Sequence, residues 1–386
     1  MINHGNYRGI YIHIPFCIAK CGYCDFYSVP IGRSMDWQEQ YLRGLVAEME
    51  QRASFYDGQR IITIYIGGGT PSLLTSEQID RLLNKLAATF TLSSDIEITI
   101  EANPATVNEK YLQECRQAGV NRLSLGVQSF IDRELCLLGR LHSTQDSKEA
   151  IRAARAAGFT NLNLDLIYGI PGQTTDDWTA NLCQAMAAAP EHLSLYLLQL
   201  EPHTPMGRWV DEGKLFMLEE EQEYQLYQIS REFLSHHGYQ QYEISNFARP
   251  GKECRHNLHY WHSAEYIGLG AGAVSFINRI RQQNAQLDSY LQTSDDYQPN
   301  FWQGEILESM SERQRWIDAV VMGLRTTQGI NMDDFKRRFG VDLHQEYDQV
   351  INELMAGGFI IIKDGYLRLA PSAYFISNQV LCRFMA

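Results

Sequence analysis

The chain lacks any long uninterrupted apolar run, although 45% of its 386 residues are hydrophobic. No stretch approaches the roughly 18–20 consecutive apolar residues that a membrane-spanning helix needs. The first residues, MINHGNYRGIYIHIPF, also lack the basic-then-apolar pattern of a secretory signal peptide. We therefore expect a cytoplasmic protein without an integral membrane segment, so that any membrane association would come through a partner.

Basic residues are outnumbered, because 33 Lys and Arg face 46 Asp and Glu and the formal net charge is -13. Nucleic-acid binding requires clustered positive charge that neutralises phosphates. The one basic run is Lys336-Arg337-Arg338, and three charges in an acidic chain are typical of a solvated helix face. The composition argues against a nucleic-acid partner, and so against a transcription or tRNA-associated factor.

Cysteine is also sparse, with eight residues in the whole chain, which is too few for a disulfide scaffold of this length. Three of the eight fall close together in the pattern C-x3-C-x2-C, at Cys17, Cys21 and Cys24. In a reducing compartment such clustering indicates metal ligation. The other five are scattered, and we expect them to be small buried hydrophobic side chains: Cys115, Cys136, Cys183, Cys254 and Cys382.

Three neighbouring thiolates can bind three corners of a [4Fe-4S] cubane and leave one iron without a protein ligand. That iron can chelate the amino and carboxylate groups of S-adenosylmethionine (SAM) and deliver an electron to its sulfonium. The same residues allow a second interpretation, a structural zinc site with His13 as the fourth ligand.

Short β-branched runs alternate with helix-like stretches over the first 200 residues, which predicts parallel strands joined by crossover helices. The predicted strands are Gly9–Ile14, Ile61–Ile66, Ile96–Glu101, Arg122–Leu125, Leu162–Ile167 and His192–Leu200. The predicted helices are Trp37–Arg52, Ser76–Phe90, Asn108–Ala118, Ser147–Ala157 and Thr175–Ala188. Such runs alone do not separate an open doubly wound sheet from a partial TIM-type barrel.

Glycine, proline and polar residues lie at or just past the C-terminal ends of these predicted strands, at Gly67–Pro71, Glu101–Pro104, Gln128, Asp165 and Gly169–Gly172. In a barrel all strand ends of one kind lie on one face, so these residues would converge there. We expect an α/β fold with a partial (βα)6 TIM-type barrel.

The cysteine loop resembles the signature of the radical SAM superfamily, because C-x3-C-x2-C follows the first predicted strand and the aromatic Tyr23 precedes the last cysteine. The resemblance implies a [4Fe-4S] cluster held by the three cysteines and a barrel of the radical SAM type. It extends to the branch that contains the oxygen-independent coproporphyrinogen III oxidases and a family of heme chaperones. In that branch SAM is contacted by positions that correspond here to Tyr11, Tyr23, Gly68, Gly69, Thr70, Glu101, Gln128, Arg140, Asp165 and Gln199.

The implied SAM contacts are chemically coherent. Glu101 or Asp165 can accept hydrogen bonds from ribose hydroxyls, and Arg140 can pair with the SAM carboxylate. Each residue taken alone is also typical of a strand-end cap or turn.

The segment RHNLHYW, residues 255–261, resembles the H-N-x-x-Y-W motif of the heme chaperone family. The resemblance implies heme binding by Arg255, His256, Tyr260 and Trp261. Histidine can ligate heme iron, aromatic rings can pack on the porphyrin, and arginine can pair with a propionate. His259 and Cys254 are alternative ligands, and residue types alone also fit a polar-aromatic seam around a buried His256.

The resemblance implies a heme chaperone that binds the cluster, SAM and heme and passes heme to an acceptor protein, with respiratory proteins as candidates. The coproporphyrinogen dehydrogenases have a fourth cysteine two residues after the third, where this chain has Phe26, and a longer N-terminal segment. Both differences argue against oxidative decarboxylation of coproporphyrinogen III, the alternative function. Reductive SAM cleavage, a monomeric or dimeric state and the identity of the acceptor stay open.

We expect three segments: a barrel over residues 1–235, an extension with the HNLHYW motif and a linker over 236–300, and a C-terminal domain over 301–386. The extension ends in a Gln/Asn/Asp/Ser-rich stretch, Gln282–Asn300, that predicts a linker or edge loop. Beyond it, three helix-like segments precede two apolar runs around Asp364-Gly365, which is a hairpin signal. These elements predict a winged-helix-like domain, with helices Ser311–Arg325, Met332–Phe339 and Leu343–Ala356.

Overall fold

A computed structural model of the protein describes residues 7–31, 36–53, 58–294, 300 and 302–385. Six parallel strands form its centre: β1 (Tyr7–Ile14), β4 (Arg60–Gly68), β5 (Thr91–Ala102), β6 (Arg122–Gln128), β7 (Leu162–Tyr168) and β8 (His192–Leu197). They lie side by side in the order in which they occur in the sequence. A doubly wound sheet reverses its order at a switch point, whereas a barrel keeps it. The partial (βα)6 barrel is therefore confirmed.

Further strands, most of them antiparallel to their neighbours, extend this sheet at both ends to twelve strands. One extension consists of β11 (Tyr266–Leu269), which is parallel to β1, followed by β12 (Val274–Ile277), β13 (Ile280–Asn284) and β14 (Gln303–Ser309). At the other end β10 (Asn246–Ala248) pairs with β8, and β9 (Gln240–Gln241) pairs with β10. Strands from the predicted middle segment thus join the barrel sheet, while the domain boundaries at 235 and 300 stay predictions.

Helices connect the barrel strands. They are α1 (Asp36–Arg52), α2 (Ser76–Thr89), α3 (Glu109–Gln117), α4 (Asp132–Leu137), α5 (Thr144–Ala156), α6 (Thr175–Ala187), α7 (Pro205–Asp211) and α8 (Glu220–His236). Capping boxes begin α2, α5 and α6, where Thr75, Ser143 and Thr174 accept a hydrogen bond from the backbone N–H three residues later. The sequence did not predict α4, α7 and α8.

The two faces of the central strands differ in chemistry. Ile10, Ile12 and Ile14 on β1 are fully buried among apolar side chains. Residues on the other face are buried but polar, as with Thr63 on β4 and Thr99 on β5. Since side chains alternate between the faces of a strand, the barrel interior is polar and the layer beneath the helices is apolar.

The C-terminal region has the predicted winged-helix-like elements. These are α11 (Glu312–Leu324), β15 (Ile330–Asn331), α12 (Met332–Phe339), α13 (Leu343–Glu346), α14 (Asp348–Ala356), β16 (Ile360–Lys363), β17 (Tyr366–Leu369) and α15 (Ser377–Leu381). A three-stranded sheet joins β15, β17 and β16 in that order. The third predicted helix is interrupted at Tyr347 and forms two shorter helices.

The linker prediction for Gln282–Asn300 is wrong over much of its length. Its first residues belong to β13, and Leu287–Ser294 form α10. Residues 295–299 lie outside the described residues. The polar composition is explained by buried hydrogen bonds, because the Asn284 amide donates to the Glu48 carboxylate and to the Gly270 carbonyl.

The expectation for the five scattered cysteines holds for Cys115 and Cys254, which are buried. It is wrong for Cys136, Cys183 and Cys382, which are exposed. Cys136 on α4 and Cys183 on α6 lie on solvent-facing positions of their helices, where apolar periodicity does not apply. Among the described residues, no helix combines the length and hydropathy needed to span a membrane.

A buried carboxylate joins α1 to the extension of the sheet. Glu48 is fully buried and accepts hydrogen bonds from Arg52, Asn284, the Tyr290 hydroxyl and the Gly270 backbone N–H. Removal of one partner leaves the remaining groups with an unbalanced buried charge.

We predict that Glu48→Ala lowers the free energy of unfolding by about 3–5 kcal/mol, since it leaves the buried Arg52 guanidinium without its carboxylate. Glu50→Ala on the same helix removes an exposed pair with Lys85 and should cost less than about 1 kcal/mol. Denaturant unfolding of both variants tests this, and equal losses would contradict the assigned role of Glu48.

Candidate functional site

The three clustered cysteines lie in the loop that follows β1. Cys17 ends the short strand β2 (Phe16–Cys17), which pairs in parallel with β3 (Val29–Pro30) at the other end of the loop. The Val29 N–H donates to the Pro15 carbonyl at 2.7 Å, and the Ile31 N–H donates to the Cys17 carbonyl at 2.7 Å. The pairing closes the base of the loop, and the cysteines line a cavity above the barrel.

Polar side chains from other elements reach two of the three sulfurs. Thr70 Oγ1 lies 3.6 Å from Cys17 Sγ, and Arg140 Nη1 lies 3.6 Å from Cys21 Sγ. Burial raises the pKa of the Cys24 thiol, an effect that a hydrogen bond from the Phe26 backbone opposes and the neighbouring Cys21 reinforces. A bound metal cation would favour the thiolate forms, since coordinated thiols are deprotonated.

The cysteine loop fits a cluster better than a single ion. No group of three His, Cys, Asp or Glu side chains in the described part of the chain is arranged to hold one metal ion. Thiolates on three corners of a cubane lie farther apart than the ligands of one tetrahedral zinc. His13, the proposed fourth zinc ligand, uses its ring nitrogens for Tyr11 OH and the Tyr27 carbonyl.

The glycine run after β4 packs directly against the cysteine loop. A Cβ at Gly69 would lie 2.6 Å from the Phe16 carbonyl oxygen and 3.0 Å from Cys17 Sγ. Gly68 has a φ of +115°, and a Cβ there would lie 2.5 Å from the His13 ring. Glycine is therefore required at both positions, because a side chain at position 69 would displace the cysteine loop and one at position 68 would displace the His13 ring on β1.

Two acidic side chains lie on the polar inner face of the strands, Glu101 near the end of β5 and Asp165 in the middle of β7. Glu101 accepts hydrogen bonds from Tyr65 OH at 2.8 Å and from the Gly68 N–H at 3.1 Å. Asp165 accepts from Ser124 at 3.0 Å and from Asn163 at 2.8 Å. Burial raises the pKa of both carboxyls, that of Glu101 to about 7, with a further contribution to Glu101 from the negative charge of Asp165.

Gln128 and Arg140 meet at the end of β6. Gln128 has a φ of 65° and follows a register shift between β6 and β7 that begins at Leu125. Positive φ is uncommon for a residue other than glycine and is found often at functional sites. Arg140 Nη2 donates to the Gly126 carbonyl at 2.8 Å, so the guanidinium is fixed between this strand end and Cys21.

A cavity of about 450 Å³ joins these groups, which is the size of a small-molecule site. Its wall contains the three cysteines and nine of the ten residues predicted to contact SAM. Arg122 and Arg140 also line it, and each has a buried Nε–H without a hydrogen-bond acceptor among the described residues. The cavity therefore provides thiols for a cluster and positive groups for an anionic ligand.

Tyr23 and Gln199 lie in the cavity wall as predicted, whereas Tyr11 does not. Tyr11 lies beside it, where its hydroxyl bonds to His13 Nδ1 at 2.9 Å and its ring stacks near Tyr65 at 6.3 Å between centroids. Direct contact between Tyr11 and SAM stays a prediction. In the observed position, Tyr11 packs against Tyr65 and hydrogen-bonds His13.

The HNLHYW motif forms the short helix α9 (Arg255–Trp261) within the barrel opening. His256 is 1% exposed and both ring nitrogens have partners: Nδ1 with Thr63 Oγ1 at 2.8 Å, and Nε2 with Tyr260 OH at 2.7 Å. Its ring also stacks on Tyr65, 5.2 Å away between centroids. Burial, with the nearby His259 and Arg122, lowers the pKa of His256, so its imidazole is neutral.

The other predicted heme residues point to different surroundings. Arg255 donates to the Asp95 carbonyl and pairs with its carboxylate at 3.4 Å. Trp261 lies at the far end of α9, beneath the guanidinium of Arg325 at 4.8 Å. The four residues do not line one cavity, and their joint role in heme binding stays a prediction.

Several cavity residues were missed in the sequence analysis: Tyr65, Arg122, Asn163, Ser194, Tyr196 and Asn257. A signal for three of them, Asn163, Ser194 and Tyr196, was present in the sequence. Strands buried on both faces are usually continuous apolar runs, yet LNLDL and HLSLYL alternate polar and apolar residues. That alternation marks a barrel whose interior is polar.

The first half of the chain, residues 11–182, matches the family model described as the radical SAM superfamily, and residues 310–376 match the HemN C-terminal domain. The chain is 33% identical to the heme chaperone HemW of Bacillus subtilis (strain 168), over 98% of this chain and 99% of that protein. It is 38% identical to the heme chaperone HemW of Escherichia coli (strain K12), over 81% and 79%.

Among solved structures, the fold is similar to that of coproporphyrinogen III oxidase (HemN) from Escherichia coli, which is described as a radical SAM enzyme. The TM-score is 0.84 at 25% identity, over 98% of this chain and 90% of that structure. The similarity includes both the barrel and the C-terminal region, so the expected barrel type is confirmed.

We predict that anaerobically reconstituted protein contains about four irons per chain and that Cys17→Ala, Cys21→Ala and Cys24→Ala each abolish this content. Cys136→Ala, Cys183→Ala and Cys382→Ala remove exposed thiols and should leave it unchanged. Iron analysis and the visible absorption spectrum measure the result. Full iron content in Cys21→Ala would contradict the assignment.

Glu101 should make the SAM-free protein less stable at higher pH. Its folded pKa of about 7 lies above that of an ordinary carboxyl, so the folded state binds a proton that the unfolded chain has released. Stability is therefore lost as the pH rises from about 5 to about 8, by roughly 2 kcal/mol.

Glu101→Gln should remove this part of the pH dependence, whereas Glu109→Gln, on the exposed side of α3, should retain it. Denaturant unfolding at pH 5 and pH 8 compares the three proteins. Parallel curves for the parent and Glu101→Gln would show that Glu101 titrates normally.

Proposed function

The chain belongs to the HemW family of heme chaperones, and on this premise we propose that it binds a [4Fe-4S] cluster, SAM and heme and transfers the heme to an acceptor protein. The observation that carries the proposal is similarity to heme chaperones along nearly the whole chain, together with Phe26 beside the cluster loop. We further propose a respiratory heme protein as the acceptor.

In the proposed holoprotein, Cys17, Cys21 and Cys24 hold the cluster. Bound together, the cluster and SAM supply one-electron chemistry. Arg140 is already fixed near Cys21 and pairs with the SAM carboxylate. Glu101 accepts hydrogen bonds from the ribose hydroxyls, held in position by Tyr65 OH.

The alternative function, oxygen-independent decarboxylation of coproporphyrinogen III, has support from the similarity to the HemN structure. Against it stands Phe26, which is 71% exposed at the cavity wall where the dehydrogenases have a fourth cysteine. A phenyl ring can neither ligate iron nor transfer a proton. We therefore propose that the chain lacks this activity.

The predicted role of His256 as heme ligand requires that its ring lose one of its two present hydrogen bonds. Iron coordination through Nε2 would replace its hydrogen bond to Tyr260 OH, and coordination through Nδ1 would replace the one to Thr63. Either exchange would also expose a ring that is now buried. His256 therefore serves the heme site only if α9 moves.

The test uses one anaerobic preparation for heme titration and a coproporphyrinogen III turnover assay. We expect a shifted Soret band with saturable binding, no turnover, and transfer of bound heme to an apo heme protein. Turnover without heme binding would overturn the chaperone proposal in favour of the decarboxylase.

A further inference from the structure

A second cavity of about 880 Å³ lies between the end of α9 and the C-terminal helices α11 and α12. It is larger than the cavity of about 450 Å³ that the three cysteines line, which we call the cluster-side cavity. Its volume is within the range of roughly 300–1,000 Å³ typical of ligand sites. Its polar wall contains Arg8, His262, Glu265, Arg315, Arg337 and Arg338. We call it the interdomain cleft.

The cleft is positively charged in a chain whose net charge is -13. Four arginines line it, against two carboxylates, those of Glu265 and Asp334. Arg8 pairs with Glu265 at 2.5 Å, and Arg337 pairs with Asp334. These pairs leave two arginines in excess.

The two remaining guanidinium groups donate mainly to neutral carbonyl groups. Arg315 and Arg338 both bond to the Ser263 carbonyl, and Arg338 also bonds to the His262 carbonyl. Asp318 lies 3.8 Å from Arg315, but it also pairs with Arg281 at 2.9 Å. Burial and the neighbouring Arg315 lower the pKa of Arg338 to about 10, as expected where positive groups outnumber anions.

The wall also contains aromatic and apolar side chains, beside the amides of Gln328 and Asn331. Trp261, Phe335 and Phe339 line the cleft with Ile330 and Ala319. The Trp261 indole N–H is buried and has no hydrogen-bond acceptor among the described residues. Because buried donors are normally hydrogen-bonded, we expect a ligand or a solvent molecule to accept a hydrogen bond from this N–H.

We propose that the interdomain cleft binds heme, with its two propionates toward the arginines and His262 as a ligand of the iron. The inference rests on the proposed heme function and assigns it a site distinct from His256. The two excess positive charges match two propionates, the aromatic side chains match the porphyrin plane, and an imidazole is a common axial ligand. Trp261 contributes to this site from the HNLHYW motif.

Heme titration of four variants tests the site. Arg338→Glu and His262→Ala change exposed residues of the cleft. Lys336→Glu makes the same charge change on the same helix outside the cleft, and His344→Ala removes an exposed imidazole elsewhere in the domain. We expect about tenfold or weaker heme binding for the two cleft variants and parental binding for the two controls. His262→Ala should also shift the Soret band.

The outcomes distinguish failure of the cleft proposal from failure of the chaperone proposal. If the parent binds heme and both cleft variants bind it equally well with an unchanged Soret band, the cleft proposal is wrong and the chaperone proposal stands. Equal weakening of heme binding in all four variants would also overturn the cleft proposal, because the loss would then come from a general change in net charge or from misfolding. A parent that binds no heme would overturn the chaperone proposal itself. Iron content and melting temperature confirm that each variant is folded.

Discussion

The carboxylate of Glu97, buried inside the barrel, holds the first turn of α9. It accepts hydrogen bonds from the backbone N–H groups of Arg255 and His256 at 3.2 and 3.1 Å, and Cys254 Sγ lies 3.7 Å away. Arg122, in the same interior, balances the charge electrostatically. Because an unbalanced buried charge is costly, the polar barrel and the motif helix depend on each other.

The position of α9 links the motif to the cluster-side cavity. His256 stacks on Tyr65, and the Tyr65 hydroxyl donates to Glu101, which in turn accepts from the Gly68 N–H beside the cysteine loop. Substitution of His256 would thus disturb residues proposed to contact SAM as well as any heme contact. Loss of heme binding in such a variant is therefore ambiguous unless SAM binding is measured too.

The sequence predicted the parts whose signals are local. The C-x3-C-x2-C loop, Glu101 at the end of β5 and the Asp364-Gly365 hairpin all lie where spacing and turn chemistry place them. Asp165, expected at a strand end, lies in the middle of β7. The alternation in LNLDL carried further information about the polar interior that a search for apolar runs overlooks. Long-range partners had no local signal: nothing near Gln282–Asn284 indicates that this segment pairs as a strand and supplies a partner for Glu48.

The motif helix separates two cavities, since Asn257 lines the cluster-side cavity and Trp261 lines the interdomain cleft. Four residues along one helix rotate by roughly forty degrees and rise about 6 Å, enough to place two side chains at opposite ends of a two-turn element. Glu101 is connected to α9 through the Tyr65 hydroxyl and the stacking of Tyr65 on His256. If heme is bound in the cleft, SAM binding in the cluster-side cavity would affect it through the position of α9. Glu97 fixes the first turn of that helix.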